Sequence, residues 1–409
     1  MNMEELETLI KNLKIRKAAG PDEIHVFMLK YGNNYIKNIL LKIINKSLRA
    51  GVLPKLWRTG TIIPIPKNNN HIIKIAEFRP ICLNSIPGKL LESFVCSKLN
   101  EIVERDKLIP TFQNGFRKNR STIDNLIVIQ QAIHSSSREK KVLLAAFLDI
   151  KKAYDCVNRN KLFKILKSLN IPAQLLLWLK DFLLNSRVAR VSYKGVKSSE
   201  RQFLYGLPQG SPISPILFNI YTKNIKSVIK NNISQFADDI MIWTINNDIE
   251  IAAQELNNKL YKLDRWAKQL NLTFSPEKCR VIPFTRKYKL NLNKISIKLK
   301  DKNILITDRV KYLGIVFDQR LAWKYHIKEI ISKAIKRIGL LKILCKKNIG
   351  IKQSQAIILY KALVRPIIEY GAEVWGDISQ TFKNKLDSVQ HHALTTCLGV
   401  NRKSHRNNQ

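Results

Sequence analysis

The sequence predicts an α+β fold. Short apolar runs of strand character, 142–148 and 240–243 among them, sit directly beside aspartates. Longer stretches with apolar residues at helical spacing separate these runs, and from Trp323 onward the pattern is wholly helical, with Ile327, Ile330, Ile331, Ile335 and Ile338 recurring among lysines.

Along the chain, Leu6, Leu9, Ile10 and Leu13 share one face of a first helix that ends near Gly20-Pro21. Residues 61–67 and 78–80 have strand character broken by prolines, which cannot donate to a ladder, so edge strands and extended loops are expected there. Helices follow over 90–103 and 123–134, and the polar residues 135–140 connect into the strand that ends at Asp149. Leu162, Phe163, Ile165, Leu166 and Leu169 mark a helix, and a second runs from 172 to about 184. Residues 187–193 alternate Val188, Val191 and Tyr193 with basic side chains, as a half-buried strand would. The turn-rich loop 206–212 leads into a helix with Pro215 in its first turn. A strand-turn-strand surrounds Asp238 and Asp239, a helix covers about 249–270, and short strands are expected at 281–284 and 312–317. The change of pattern near Trp323 divides the chain into 1–54, a helical extension; 55–320, the mixed body; and 321–409, a small helical region.

Lys and Arg number 71 against 31 Asp and Glu, a net charge of +40 over 409 residues. Solubility does not require so large an excess, and nucleic acid is the first polyanion to consider as a partner. A membrane is not expected: no apolar stretch reaches the roughly 18–20 residues of a spanning helix, and the first residues are acidic rather than signal-like. The chain therefore reads as intracellular. Six scattered cysteines without a Cys-x-x-Cys pair argue against a disulfide framework or a zinc finger.

The chemistry concentrates in three carboxylates. Asp238 and Asp239 precede Ile240-Met241-Ile242-Trp243, and Asp149 ends the run from Val142 to Leu148. Ionised carboxylates at the tips of buried strands lose hydration and raise one another's pKa, and cations offset that cost. Oxygen ligands suit a hard ion such as magnesium, which shares its remaining positions with water and substrate phosphates. Two such ions about 3.5–4 Å apart form the clamp of polymerases and nucleases. An Asp-Asp pair alone fits an acidic hairpin turn equally well; the rest of the chain decides.

Phe147-Leu148-Asp149-Ile150-Lys151-Lys152-Ala153-Tyr154-Asp155, Gly206-Leu207-Pro208-Gln209-Gly210-Ser211-Pro212, Phe236-Ala237-Asp238-Asp239 and Tyr312-Leu313-Gly314-Ile315, in this order, resemble the palm motifs of reverse transcriptases. Gly20-Pro21-Asp22, Ile63-Pro64-Ile65-Pro66-Lys67, Phe78-Arg79-Pro80-Ile81 and Gln113-Asn114-Gly115-Phe116-Arg117 narrow the likeness to the non-LTR (LINE-type, jockey-like) retrotransposon enzymes. The resemblance implies a right-hand polymerase: fingers and an antiparallel-sheet palm within 55–320, and a helical thumb-like region, expected to be truncated, within 321–409.

It also implies roles. Asp149, Asp238 and Asp239 would be the catalytic and metal-holding residues, with two Mg2+ ions, Mn2+ being able to substitute. Tyr154 takes the place of the aromatic gate that disfavours a 2′-hydroxyl, and Gln209 lies in the loop that meets the incoming nucleotide. Lys67 and Arg79 match finger cations that reach the triphosphate; Arg117 resembles a template-contacting position. Tyr312, Leu313 and Gly314 resemble the primer grip, and Lys278 a possible proton donor to pyrophosphate. The implied partners are an RNA template, a DNA primer and dNTPs, and the family's habit of copying at chromosomal sites implies a nuclear location. Asp155 reads instead as a helix start or cap. No endonuclease or RNase H region is visible, so a polymerase fragment or truncated copy is expected. The charge also fits a catalytically silent RNA-binding relic, and an intron-encoded enzyme with splicing activity is a third possibility that the jockey-like motifs disfavour.

Overall fold

A computed structural model describes residues 1–16, 18–66, 77–185, 187–203, 205–286, 290–345 and 350–399. In chain order its strands are β1 (Thr59–Pro66), β2 (Phe78–Asn84), β3 (Val142–Asp149), β4 (Arg187–Tyr193), β5 (Val196–Lys197), β6 (Arg201–Phe203), β7 (Ile233–Phe236), β8 (Asp239–Asn246), β9 (Arg280–Phe284), β10 (Lys298–Leu299), β11 (Lys302–Asn303), β12 (Leu305–Ile306), β13 (Arg309–Tyr312) and β14 (Ile315–Asp318).

The central sheet has the order β12-β9-β3-β8-β7, with β3 antiparallel to both neighbours. Successive side chains of β3 feed two cores. Leu144, Ala146 and Leu148 join Leu256, Leu260 and Leu263 of the helix Ile249–Gln269, while Leu143, Ala145 and Phe147 join Leu126, Ile129 and Ile133 of the helix Thr122–Arg138. A strand covered on both faces reads as a continuous apolar run, and each leucine so buried contributes about 1.5–3 kcal/mol. Charge is tolerable only past the covered length, and Asp149 stands there.

The second sheet runs β2-β1-β4-β5, with β6 on β4. β2 is an edge strand, as expected, but β1 lies inside. Its prolines are accommodated because β4 pairs with β1 only from Thr59 to Ile62, leaving Pro64 and Pro66 beyond its reach, and Pro64 faces Pro80 of β2. Two further expectations are corrected. The helix Thr122–Arg138 absorbs most of the supposed connection at 135–140, since Ser136 is buried and its hydroxyl donates to the Ile133 carbonyl at 2.9 Å. Residues 312–317 are not one strand: the chain reverses at Leu313-Gly314 to form the β13–β14 hairpin.

The first helix, Met3–Lys11, stops well before Gly20. Gly20 instead packs against the junction between β2 and the helix Ile86–Arg105, where a Cβ would come within 2.6 Å of the Ser85 nitrogen; Asp22 Oδ2 accepts the Ser85 hydroxyl at 2.6 Å. Helices Lys324–Leu344, Gln353–Leu363 and Gln380–Leu398 pack around the second core. No helix among the described residues is long and apolar enough to cross a membrane.

Candidate active site

β3 and β8 are paired so that Asp149 faces Asp239 at the end of the ladder. Asp238 sits in the two-residue turn between Phe236 and Asp239, which pair across β7 and β8. The turn requires Ala237 at a φ of 56°, a left-handed conformation that costs a residue with a Cβ about 1–2 kcal/mol. Gln113 holds it there: Oε1 accepts the Ala237 N–H at 2.9 Å and Nε2 donates to the Ala237 carbonyl at 3.1 Å. Gly115 lets this segment close on the turn, since a Cβ would lie 2.3 Å from the Ala237 nitrogen. The Gln113–Arg117 stretch therefore cradles the aspartate turn. Arg117, read from the sequence as a template contact, is tied down by Glu104 at 2.6 and 2.7 Å and by the carbonyls of Pro110 and Gln113 at 3.1 Å.

Electrostatics at the strand tips are unfavourable as they stand. Desolvation by the surrounding protein pushes the Asp239 carboxyl up to about 6, and the charges of Asp238 and Asp149 act in the same direction. Asp238 is raised as well, first by burial and then by Asp149, against a lowering backbone hydrogen bond. Asp149 Oδ2 is buried without a hydrogen-bond partner. Lys278 Nζ pairs with it at 3.5 Å, brought close because Ser275 N donates to the Asp149 carbonyl at 2.9 Å and Lys278 N to the Ser275 carbonyl at 3.0 Å.

These side chains suit a hard divalent ion: the donors are carboxylate oxygens, one orphaned, and they repel one another without a cation. Among the described residues no three His, Cys, Asp or Glu side chains form a ready-made cluster for a metal. Mutual repulsion opposes convergence, and an ion that completes its shell with water and phosphate needs no closed protein cage.

A cavity of about 330 Å³ unites Asp149, Asp239 and Lys278 with Arg309, Lys311, Tyr312 and Leu313. The Tyr312 ring is buried against Phe147 at 5.1 Å. Leu313 and Gly314 form the hairpin turn at φ of 44° and 89°, pinned by the Tyr370 hydroxyl, which donates to the Leu313 carbonyl at 2.7 Å. Tyr154 stacks on Phe218 at 5.1 Å, and its hydroxyl pKa is raised by burial and by the nearby Asp238 charge.

Gln209 lies beside Tyr154's segment: Leu207 N donates to the Tyr154 carbonyl at 2.8 Å and Gln209 Nε2 to Asp155 Oδ1 at 3.1 Å. The same loop reaches β2, where Cys82 N donates to the Gln209 carbonyl at 2.9 Å. Arg79 stands exposed on β2, opposite Ile65, while Lys67 lies outside the described residues. Sequence reading took Gln113 and Gly115 only as part of a motif, read Asp155 as a helix start or cap and did not single out Arg159; the Gln113 contact with Ala237 spans 124 positions.

Residues 65–317 match the reverse transcriptase (RNA-dependent DNA polymerase) family. The chain is 28% identical over 408 residues to the RNA-directed DNA polymerase from mobile element jockey of Drosophila melanogaster, covering 98% of this chain and 44% of that protein. It is 28% identical over 406 residues to the probable RNA-directed DNA polymerase from transposon BS and 24% over 400 residues to that from transposon X-element, both of the same species and again across 44% of their length. The chain thus spans a little under half the length of these curated relatives. Among solved structures, apo telomerase from Candida tropicalis aligns with a TM-score of 0.44 and 14% identity over 90% of this chain and 68% of that one, and the assignment takes nothing from it. The family match runs from β1 through the aspartate tips to the β13–β14 hairpin, more than half of the sequence, and the chain belongs to the reverse transcriptase family.

Proposed function

We propose that this chain is the RNA-directed DNA polymerase of a jockey-like non-LTR retrotransposon, extending a DNA primer with dNTPs on an RNA template. The observation that carries this reading is the register that sets Asp149 against Asp239, with Asp238 in the adjoining turn, in a cleft shared with the Tyr312-Leu313 turn and Lys278.

Asp149, Asp238 and Asp239 are the residues that would hold divalent ions, magnesium or manganese in its place. Such ions, when bound, supply activation of the primer hydroxyl and neutralise charge on the triphosphate. The remaining work falls to side chains. The Tyr312–Gly314 turn, fixed by Tyr370, positions the primer end beside the carboxylates. The Tyr154 ring, held against Phe218, is a wall that a ribose 2′-hydroxyl would meet. Gln209 meets the nucleotide from the neighbouring loop, and Arg79 and Lys67 supply fixed positive charge to the triphosphate. Lys278, which pairs with Asp149, would be the proton donor to departing pyrophosphate.

Primer extension on an RNA template, comparing the unsubstituted chain with Asp238→Ala, tests the reading. The expected result is a loss on the order of 10³-fold or more in the variant. Salt-sensitive RNA binding by the unsubstituted chain without incorporation, even with manganese, would sink it in favour of a silent RNA-binding protein.

A further inference from the structure

The loop that carries Gln209 has anchors to distant parts of the chain along its length. At its start, Gly206 N donates to the Val157 carbonyl at 3.0 Å, and Leu207 N to the Tyr154 carbonyl. Arg159, 7% exposed, reaches the same place from below: Nε donates to the Gly206 carbonyl at 2.7 Å, Nη1 to Phe203 at 2.8 Å and Leu183 at 3.4 Å, and Nη2 to Tyr205 at 3.1 Å. Among the described residues no carboxylate pairs with this guanidinium, and burial, with the nearby Arg187 charge, lowers its pKa to about 10. A cation is thus kept in the interior by four backbone carbonyls. The desolvation of a guanidinium is costly, so the arrangement persists only while those carbonyls stay in place, and it holds them as firmly as they hold it. At the far end, Ser211 donates to Glu92, whose carboxylate also takes Arg187.

Between these ends, Asp155 accepts from Gln209 Nε2. An ionised carboxylate only accepts, so it selects one of the two ways the amide can face: nitrogen toward Asp155, carbonyl oxygen away from it. Tyr154, next to Asp155 in the chain, is bonded through its own carbonyl to Leu207. Gate ring and loop amide are therefore joined within a single hydrogen-bonded unit.

We propose that Asp155 and Arg159 are positioning residues for nucleotide selection: they lock the Gln209 loop to the Tyr154 segment, so that discrimination against ribonucleotides depends on side chains that do not touch the nucleotide. The specificity part of this proposal rests on the polymerase reading above; the clamp itself does not.

Two measurements separate them. In single-nucleotide extension, Asp155→Asn, isosteric but able to donate, should raise KM for a dNTP about tenfold with kcat within about threefold, and should cut the dNTP-over-rNTP preference by about tenfold. Asp155 is exposed, so this variant keeps the fold. In hydrogen–deuterium exchange, Arg159→Met should speed exchange of a peptide covering 205–212 by about tenfold or more while a peptide covering 142–149 is unchanged, and Arg159→Lys should recover part of the protection. KM and preference in Asp155→Asn within about twofold of the unsubstituted chain would overturn the specificity role. Unchanged exchange in Arg159→Met would overturn the clamp. If the unsubstituted chain incorporates no nucleotide, it is the polymerase reading that fails, and exchange alone then decides the clamp.

Discussion

At the strand tips of the central sheet, carboxylates crowd together at the edge of solvent, whereas the Gln209 loop beside them is anchored by charges buried in the protein and satisfied there. Arg159 is surrounded by carbonyls, and Glu92 by Arg187 and Ser211, with the Glu92 side chain 1% exposed. At the tips, Asp238 is pushed up by burial and by Asp149, Asp239 by burial and by Asp238 and Asp149, and Asp149 Oδ2, without a hydrogen-bond partner, faces the exposed Lys278 at 3.5 Å. A buried charge that is fully bonded belongs to the scaffold, whereas like charges left facing one another mark a place that something else must complete.

The largest effects should show that division by having opposite signs. Asp149→Asn should reduce nucleotide incorporation on the order of 10³-fold while leaving thermal stability without divalent ions no lower than that of the unsubstituted chain, because one of three repelling charges is gone. Glu92→Ala should do the reverse to stability, costing about 3–5 kcal/mol in a denaturation experiment because Arg187 is left buried and unpaired. The double variant Glu92→Met, Arg187→Met should recover most of that loss. If Asp149→Asn proves the more destabilising of the two, the comparison is wrong.

Half of this contrast was legible in the sequence. An aspartate cannot sit inside a strand covered on both faces, so the unbroken run from Val142 to Leu148 and the Asp that ends it foretold both the buried strand and the carboxylate at its tip. The same logic placed Asp238 and Asp239 at a turn. The scaffold half was not legible, because its partners are remote: Gln113 meets Ala237, and Arg159 meets Phe203 to Gly206, through contacts no local pattern announces. Asp155 looked like a helix start because only neighbours in sequence could be weighed; its hydrogen bond runs to Gln209, 54 positions away. The prolines of β1 foretold an edge, and they do lie where β4 has ended, but the first half of the strand is interior. At 312–317 apolar residues outvoted Gly314, and the hairpin turn was read through.

An intermediate effect concerns pH. The Asp239 carboxyl titrates near 6 in the folded chain against 3.8 as a free side chain. The folded state therefore binds the proton more tightly, and the stability this confers is present below about 4 and lost as pH rises through about 6. Asp239→Asn never ionises there. Without divalent ions its melting temperature should exceed that of the unsubstituted chain above pH 6, and the gap should close below pH 4. Adding magnesium at pH 7.5 should narrow the gap, since only the ionised carboxylate gains from a cation. A gap that widens toward low pH would show that the tips are not strained by their charges.

The smallest effect belongs to Lys278, the cation that pairs with Asp149. Lys278 Nζ stands 3.5 Å from Asp149 Oδ2, but its side chain is 66% exposed, so solvent screens the pair and its net contribution to stability is within about 0–1 kcal/mol. Lys278→Met should accordingly shift the melting temperature little. If the lysine also delivers a proton to pyrophosphate, the same substitution should lower kcat about three- to tenfold with KM for the dNTP nearly constant, since the contact would strengthen only as the leaving group develops charge. A change in KM alone would instead make Lys278 a binding cation. No change in either constant would leave Asp149 without a protein partner that matters, and the strand tips would then depend on ligands for all of their compensation.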